Sequence, residues 1–404
     1  MPVGPKDPTG KQAGEYFSRI ISWYTKGGFT DELGVYHKSG HHFRWTDWEV
    51  LNEIDEGSPM LCPDLHAPGT KAEHFTECAR RYTLFYDGVV STIQREHADL
   101  NLKYHGVALA LPLVTGSEVF WTYFLDRRNH QSPDIPLDYI SYHWYGSGPG
   151  TNPGGWQPFA QADALLAEAA RIQAIVQRLS PDTKVNVDEI GSIGGCNFGN
   201  VTEHGDERWF ENAIGAVFAY TYAKLAQLGV EIMAASQLMA WGSPSVSDRQ
   251  IWPAGKGPYG SLDQKDFPCV TMLNWADGTG TARFWVLKLL IDGLGGADTQ
   301  KTLLRTNITV AAPSPGATVP AESVFAQAFA VRPSGRPMAQ PSKVLLLVNK
   351  MNSTVNVSVD GAAGKRTSWV DDLSGHSMVP YASAIVPSDG SIQLRGYAVE
   401  LIHL

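Results

Sequence analysis

Two carboxylates at the ends of apolar runs are the residues of this sequence best suited to chemistry. In WTDWEVLNEID the run closes on Asn52 and Glu53, and in TKVNVDEIGS another delivers Glu189 just before a Gly/Ser turn. Two carboxyls held roughly 5 to 5.5 Å apart can carry out a double displacement at an anomeric carbon, one attacking it and the other protonating the leaving oxygen. Between them in sequence lies DYISYHWYG, where His143 and Tyr145 project from alternate positions and share one face. Trp241 closes the later run EIMAASQLMAW, and Trp156 stands in the loop GSGPGTNPGGWQP. Flat rings at such places can give a sugar its platform. Each residue also has a plainer use: strand-end glutamates bond backbone amides, and His143 and Trp241 suit a core.

The elements that must position these groups follow from the patterning. Apolar runs alternate with helix-period stretches from about residue 48 to 292, the rhythm of a parallel α/β sheet. Five strands are expected: 48–53, 105–112, 138–144, 184–190 and 231–241. The clearest helix starts at Phe159, where Leu165, Leu166, Ala169, Ile172 and Ile175 recur on one face. Further helices are expected over 208–228 and 281–292, and the charged stretch around Arg80 reads as an outer helix with a solvated face. From about residue 295 short alternating strands separated by Pro, Gly and Ser clusters predict an antiparallel β-sandwich. The expected domains are therefore 1–294, an α/β unit, and 295–404, the sandwich.

Composition narrows the partners. With 41 acidic against 32 basic residues among 404, the formal charge is −9, which disfavours nucleic acid and anionic membranes and leaves a neutral ligand easier to accommodate. No run is long and apolar enough to span a bilayer. Cys62, Cys78, Cys196 and Cys269 form no CxxC pair, so structural zinc is not expected, while a Cys62–Cys78 disulfide stays open. His41, His42, His66 and His74 lack HxxxH or HExxH spacing, and neither metal nor cofactor is expected. Sequons at Asn200, Asn307, Asn352 and Asn356 point to a secretory route, although MPVGPKDPTGKQ has no signal-peptide core. The expected location is secreted, or lysosomal or vacuolar, for a longer form that carries a leader.

An Asn-Glu ending one strand and a Glu ending another three βα units later resembles the clan A glycoside hydrolases, and family 39 in particular. That family reads approximately W-x-F-E-x-W-N-E-P-D where this chain has Trp48-Glu49-Val50-Leu51-Asn52-Glu53-Ile54-Asp55; LDYISYHWYG and TKVNVDEIGS resemble its sixth and seventh strands. The resemblance covers residues 12 to 290 and implies a (β/α)8 TIM-type barrel followed by a β-sandwich. It implies that Glu53 is the acid/base, Glu189 the nucleophile and Asn52 a partner of the sugar 2-OH. His143, Tyr145, Trp241 and Trp156 would then bind substrate. Tyr145 stands where a basic residue would meet a uronic carboxylate, so a neutral pentoside or hexoside, as for β-xylosidases, is expected.

Two positions depart from the pattern: Leu51 replaces a Trp and Ile54 a Pro. Only 47 residues precede the strand that matches the fourth, whereas three βα units need on the order of 100. Strands 4 to 8 are therefore expected without 1 to 3. Because open sheet edges invite aggregation, a non-catalytic carbohydrate-binding or inactive truncated member is the alternative.

Overall fold

The computed structural model describes residues 7–57, 61–62, 64–65, 67, 69–110, 112, 116–146, 157–192, 207–236, 238, 272–273, 278, 280–296, 299–311, 321–335, 340–375, 378 and 380–404. A helix, α1 (Lys11–Thr25), precedes a small hairpin of β1 (Gly28–Thr30) and β2 (Tyr36–Lys38). The alternation expected from the patterning then runs β3 (Asp47–Glu49), α2 (Ala72–Glu96), β4 (Lys103–Leu109), α3 (Glu118–Phe124), β5 (Tyr139–Gly146), α4 (Pro158–Leu179), β6 (Lys184–Ser192), α5 (Glu207–Gln227), β7 (Ile232–Ala235) and α6 (Ala282–Leu294).

Strands β3 to β7 join in chain order into one parallel, curled half-barrel sheet. Almost every residue of β4 and β5 is buried, the pattern of strands covered on both faces. Helix α2 turns Phe75, Ala79, Tyr82, Tyr86, Val89 and Ile93 inward at helical spacing. Its Tyr82 hydroxyl donates to the Val50 carbonyl at 3.0 Å and its Tyr86 hydroxyl to Pro136 at 2.8 Å. Gly106 of β4 makes this approach feasible, because a Cβ there would stand 2.7 Å from the Tyr82 hydroxyl.

The strand expected over 48–53 is shorter: β3 stops at Glu49. Leu51 and Glu53 take φ of 68° and 47°, left-handed values that cannot continue an extended strand. Glu53 therefore stands on the loop after β3. The strand expected to reach residue 241 ends at Ala235, and Trp241 lies outside the described residues. Cys62 and Cys78 are free, buried thiols hydrogen-bonded to one another, not a disulfide.

The C-terminal strands are β8 (Thr299–Leu304), β9 (Thr309–Ala311), β10 (Val324–Pro333), β11 (Ser342–Asn349), β12 (Val355–Ser358), β13 (Arg366–Val370), β14 (Ala382–Ile385), β15 (Ser391–Leu394) and β16 (Val399–His403). They form an antiparallel six-stranded sheet ordered β14-β13-β16-β11-β10-β8 and a three-stranded sheet ordered β15-β12-β9. Val324, Leu345, Leu347, Val357, Leu394 and Ile402 fill the core shared by these sheets. On the other side α5 and α6 pack against β11, β13 and β16, and Tyr220 meets the Phe325 ring edge-on at 5.1 Å. Covered on both sides, β11 buries Val344 through Asn349 without alternation.

The chain divides into two compact units. One comprises Met1–Trp144, Ala167–Ile190 and Leu228–Ala234; the other comprises Tyr145–Leu166, Gly191–Gln227 and Ala235–Leu404. Among the described residues no helix is long and apolar enough to cross a membrane.

Candidate active site

Glu53, His143 and Glu189 meet within the first unit, with one ligand-type atom from each lying within 4.8 Å of the other two. The imidazole sits between the carboxylates: His143 Nδ1 lies 2.9 Å from Glu53 Oε1 and 3.5 Å from Glu189 Oε2. The His143 side chain is fully buried, while those of Glu53 and Glu189 are 30% and 33% exposed. A buried donor thus holds two carboxylates that a ligand can reach.

Each position has a local cause. Val50 N–H pairs with the His105 carbonyl at 3.1 Å, after which the chain kinks through left-handed Leu51 and Glu53. The kink is pinned to β4, whose own register shifts between Val107 and Leu109 around a left-handed Ala108 (φ 51°). Glu53 N–H donates to Ala108 O at 2.9 Å, and Ala110 N–H donates to the buried Asp55 carboxylate at 2.9 Å. Three non-glycine residues with positive φ around one carboxylate make a concentration of backbone strain of the kind found at functional sites. His143 is in the middle of β5, and Glu189 is carried on β6.

Two further carboxyls lie behind the imidazole, and neither was singled out from the sequence. Asp188 Oδ1 lies 3.8 Å from His143 Nε2, and Asp188 is hydrogen-bonded to Glu49 of β3. Glu49 in turn accepts the Ser141 hydroxyl. Burial, followed by the hydrogen bond to Glu49, pushes the Asp188 carboxyl far above the usual carboxylate range. The available signal was the consecutive Asp188-Glu189 pair in an otherwise apolar strand, together with Glu49 four residues before Glu53.

Asn52, next to Glu53, is exposed. Tyr145 belongs to the second unit, where its hydroxyl pairs with Ser236 and its ring packs over Gly191. Trp156 and Trp241 lie outside the described residues, as do Cys196, Cys269 and His66. Another histidine, His105, bonds Asp47 at 2.9 Å and Asn186 at 3.2 Å and stacks on Tyr139 at 4.2 Å. It ties the opening residues of β3 to β6, the end of a parallel sheet associated with stability.

Carboxylate, imidazole and carboxylate could also ligate a divalent cation, the one such group among the described residues. The 2.9 Å contact between Nδ1 and Glu53 already satisfies both atoms as a charge-assisted hydrogen bond.

No protein-family model and no curated protein sequence matches the chain. Solved structures do. The α-L-arabinofuranosidase of Thermotoga maritima, solved with arabinose, aligns with a TM-score of 0.57 at 12% identity over 98% of this chain and 74% of its own. The GH51 α-L-arabinofuranosidase of Thermotoga petrophila RKU-1 gives 0.55 at 11% identity over the same shares. Cel44A, a family 44 endoglucanase of Clostridium thermocellum, gives 0.51 at 14% identity, covering 97% and 70%. At these identities the likeness is one of fold alone.

Proposed function

We propose that this chain is a retaining glycoside hydrolase in which Glu189 is the nucleophile and Glu53 the acid/base. The observation that carries the reading is the approach of their carboxyl oxygens to within 4.8 Å, close to the spacing of retaining rather than inverting pairs. In the first step Glu189 attacks the anomeric carbon and forms an ester while Glu53 gives its proton to the departing oxygen. In the second, Glu53 takes a proton from water, the oxygen of that water attacks the same carbon, and Glu189 is released. His143 Nδ1, within reach of both carboxyls, steadies whichever is anionic at each stage.

Asn52 is assigned the sugar 2-OH. A neutral pentoside is the favoured substrate, in keeping with Tyr145 in place of a basic residue and with the arabinose held by the Thermotoga maritima neighbour. The test is a pair of variants assayed on aryl glycosides. Glu189→Ala and Glu53→Ala should each lose about 10³-fold or more in turnover. Azide should rescue Glu189→Ala as a glycosyl azide of inverted configuration. Undiminished hydrolysis by either variant would refute the assignment.

A further inference from the structure

Behind the two glutamates a closed circuit of hydrogen bonds and close contacts runs through the sheet. Glu53 N–H donates to Ala108 O at 2.9 Å, Ala108 N–H to Ser141 Oγ at 3.2 Å, and Ser141 O–H to the Glu49 carboxylate. Glu49 bonds Asp188, Asp188 Oδ1 lies 3.8 Å from His143 Nε2, and His143 Nδ1 returns to Glu53. Glu49 and Asp188 are two carboxyls in hydrogen-bond contact at a largely buried position. Such a pair carries one negative charge and keeps one proton. His143 Nε2 and Asp188 Oδ1 are buried, and neither has a hydrogen-bond partner among the described residues.

A neutral imidazole has one N–H to give. An anion at the Nε2 end would draw that proton away from the glutamates, or hold a second one and make the ring cationic. We propose that Asp188 is a positioning residue: sharing its proton with Glu49, it presents a neutral acid to Nε2 and thereby keeps the His143 proton on Nδ1, aimed at Glu53 and Glu189. The inference rests on the glycosidase reading for its catalytic consequence, though not for its structural one. The titratable groups facing Asp188 are Glu49 of β3, Tyr82 of α2, Tyr142 and His143 of β5, and its neighbour Glu189. Burial holds both tyrosines in the neutral phenol form at neutral pH, which leaves the Glu49–Asp188 pair as the switch.

The experiment follows the His143 ring nitrogens by ¹⁵N NMR across pH in the full chain, comparing wild type with Asp188→Asn and Glu49→Gln. Wild type should show Nδ1–H at neutral pH and lose it as Asp188 ionises under alkaline conditions. Asp188→Asn, neutral at every pH, should keep Nδ1–H throughout. Glu49→Gln should move the loss of Nδ1–H toward acid. A wild-type ring that titrates like Asp188→Asn, or that already carries its proton on Nε2 at neutral pH, overturns the proposal, and the wild-type and Asp188→Asn pair decides even if Glu49→Gln does not fold.

The kinetic arm uses an aryl glycoside with a leaving group too good to need Glu53 as acid. There kcat/KM of wild type should fall by about tenfold per pH unit above the ionisation of Asp188, and Asp188→Asn should lose that limb. A limb unchanged by the substitution counts against the proposal. Absence of all hydrolysis in wild type would instead refute the glycosidase reading, while the NMR result would still decide the position of the proton.

Discussion

Glu53 holds its place through a backbone conformation that its residue type disfavours, and there its carboxylate meets His143. Replacing His143 by Ala leaves two carboxylates without their common donor. Turnover should fall by about 10²-fold or more with a smaller change in KM, measured by steady-state kinetics on an aryl glycoside; a loss confined to KM would mean the ring only binds sugar. Glu53 and Glu189 were legible as candidates because each closes an apolar run, and His143 because a strand sends alternate residues to one face. Asp188 and Glu49 were not. Their strands are separated by β4 and β5, so only the curl of the sheet, which no local pattern encodes, reveals that they touch.

The elements show where backbone chemistry overrode side-chain patterning. Helix α4 was readable because Leu165, Ala169, Ile172 and Ile175 do turn inward. The end of β3 was not, since VLNE reads as a continuing strand, and its kink depends on contacts with β4 that are remote in sequence. Helix α3, at seven residues, is too short to show a period. Two substitutions probe this arrangement. Ala108→Gly trades a small buried methyl for relief of a left-handed strain of about 1 kcal/mol, so denaturant unfolding should show a net change near zero; a cost above about 2 kcal/mol would show that the strain is not there. Tyr82→Phe removes the donor to Val50 O, leaves a buried carbonyl short of a partner and should cost about 1 to 2 kcal/mol. It should also lower turnover, since Val50 anchors the loop that carries Glu53.

At the scale of the whole molecule, buried acids give stability an alkaline slope. Glu400 of β16, bonded by the Thr367 hydroxyl, is pushed up to about 7 by burial. A raised acid binds its proton more tightly folded than unfolded. Its share of stability is therefore complete below the ordinary glutamate range and is lost as pH rises to about 7, an effect of about 3 kcal/mol. Glu400→Gln should remove that slope: near wild type at pH about 4, more stable at pH about 8, read from thermal melts. Equal differences at both pH values would contradict the shift. If the chain passes through a eukaryotic secretory route, exposed Asn307 and Asn352 should carry glycans. Asn356, half-buried within β12, should be occupied less than these two. Peptide mass spectrometry after enzymatic deglycosylation distinguishes them.

The strand order of the six-stranded sheet has a consequence for biosynthesis. Residues 399–403 pair with β11 on one side and β13 on the other, so the two halves of that sheet cannot join until this late segment has left the ribosome. Until then the Leu345–Val348 run waits with one edge uncovered, a template for strands of other nascent chains. Deletion of residues 399–403 would leave the sheet in that condition permanently.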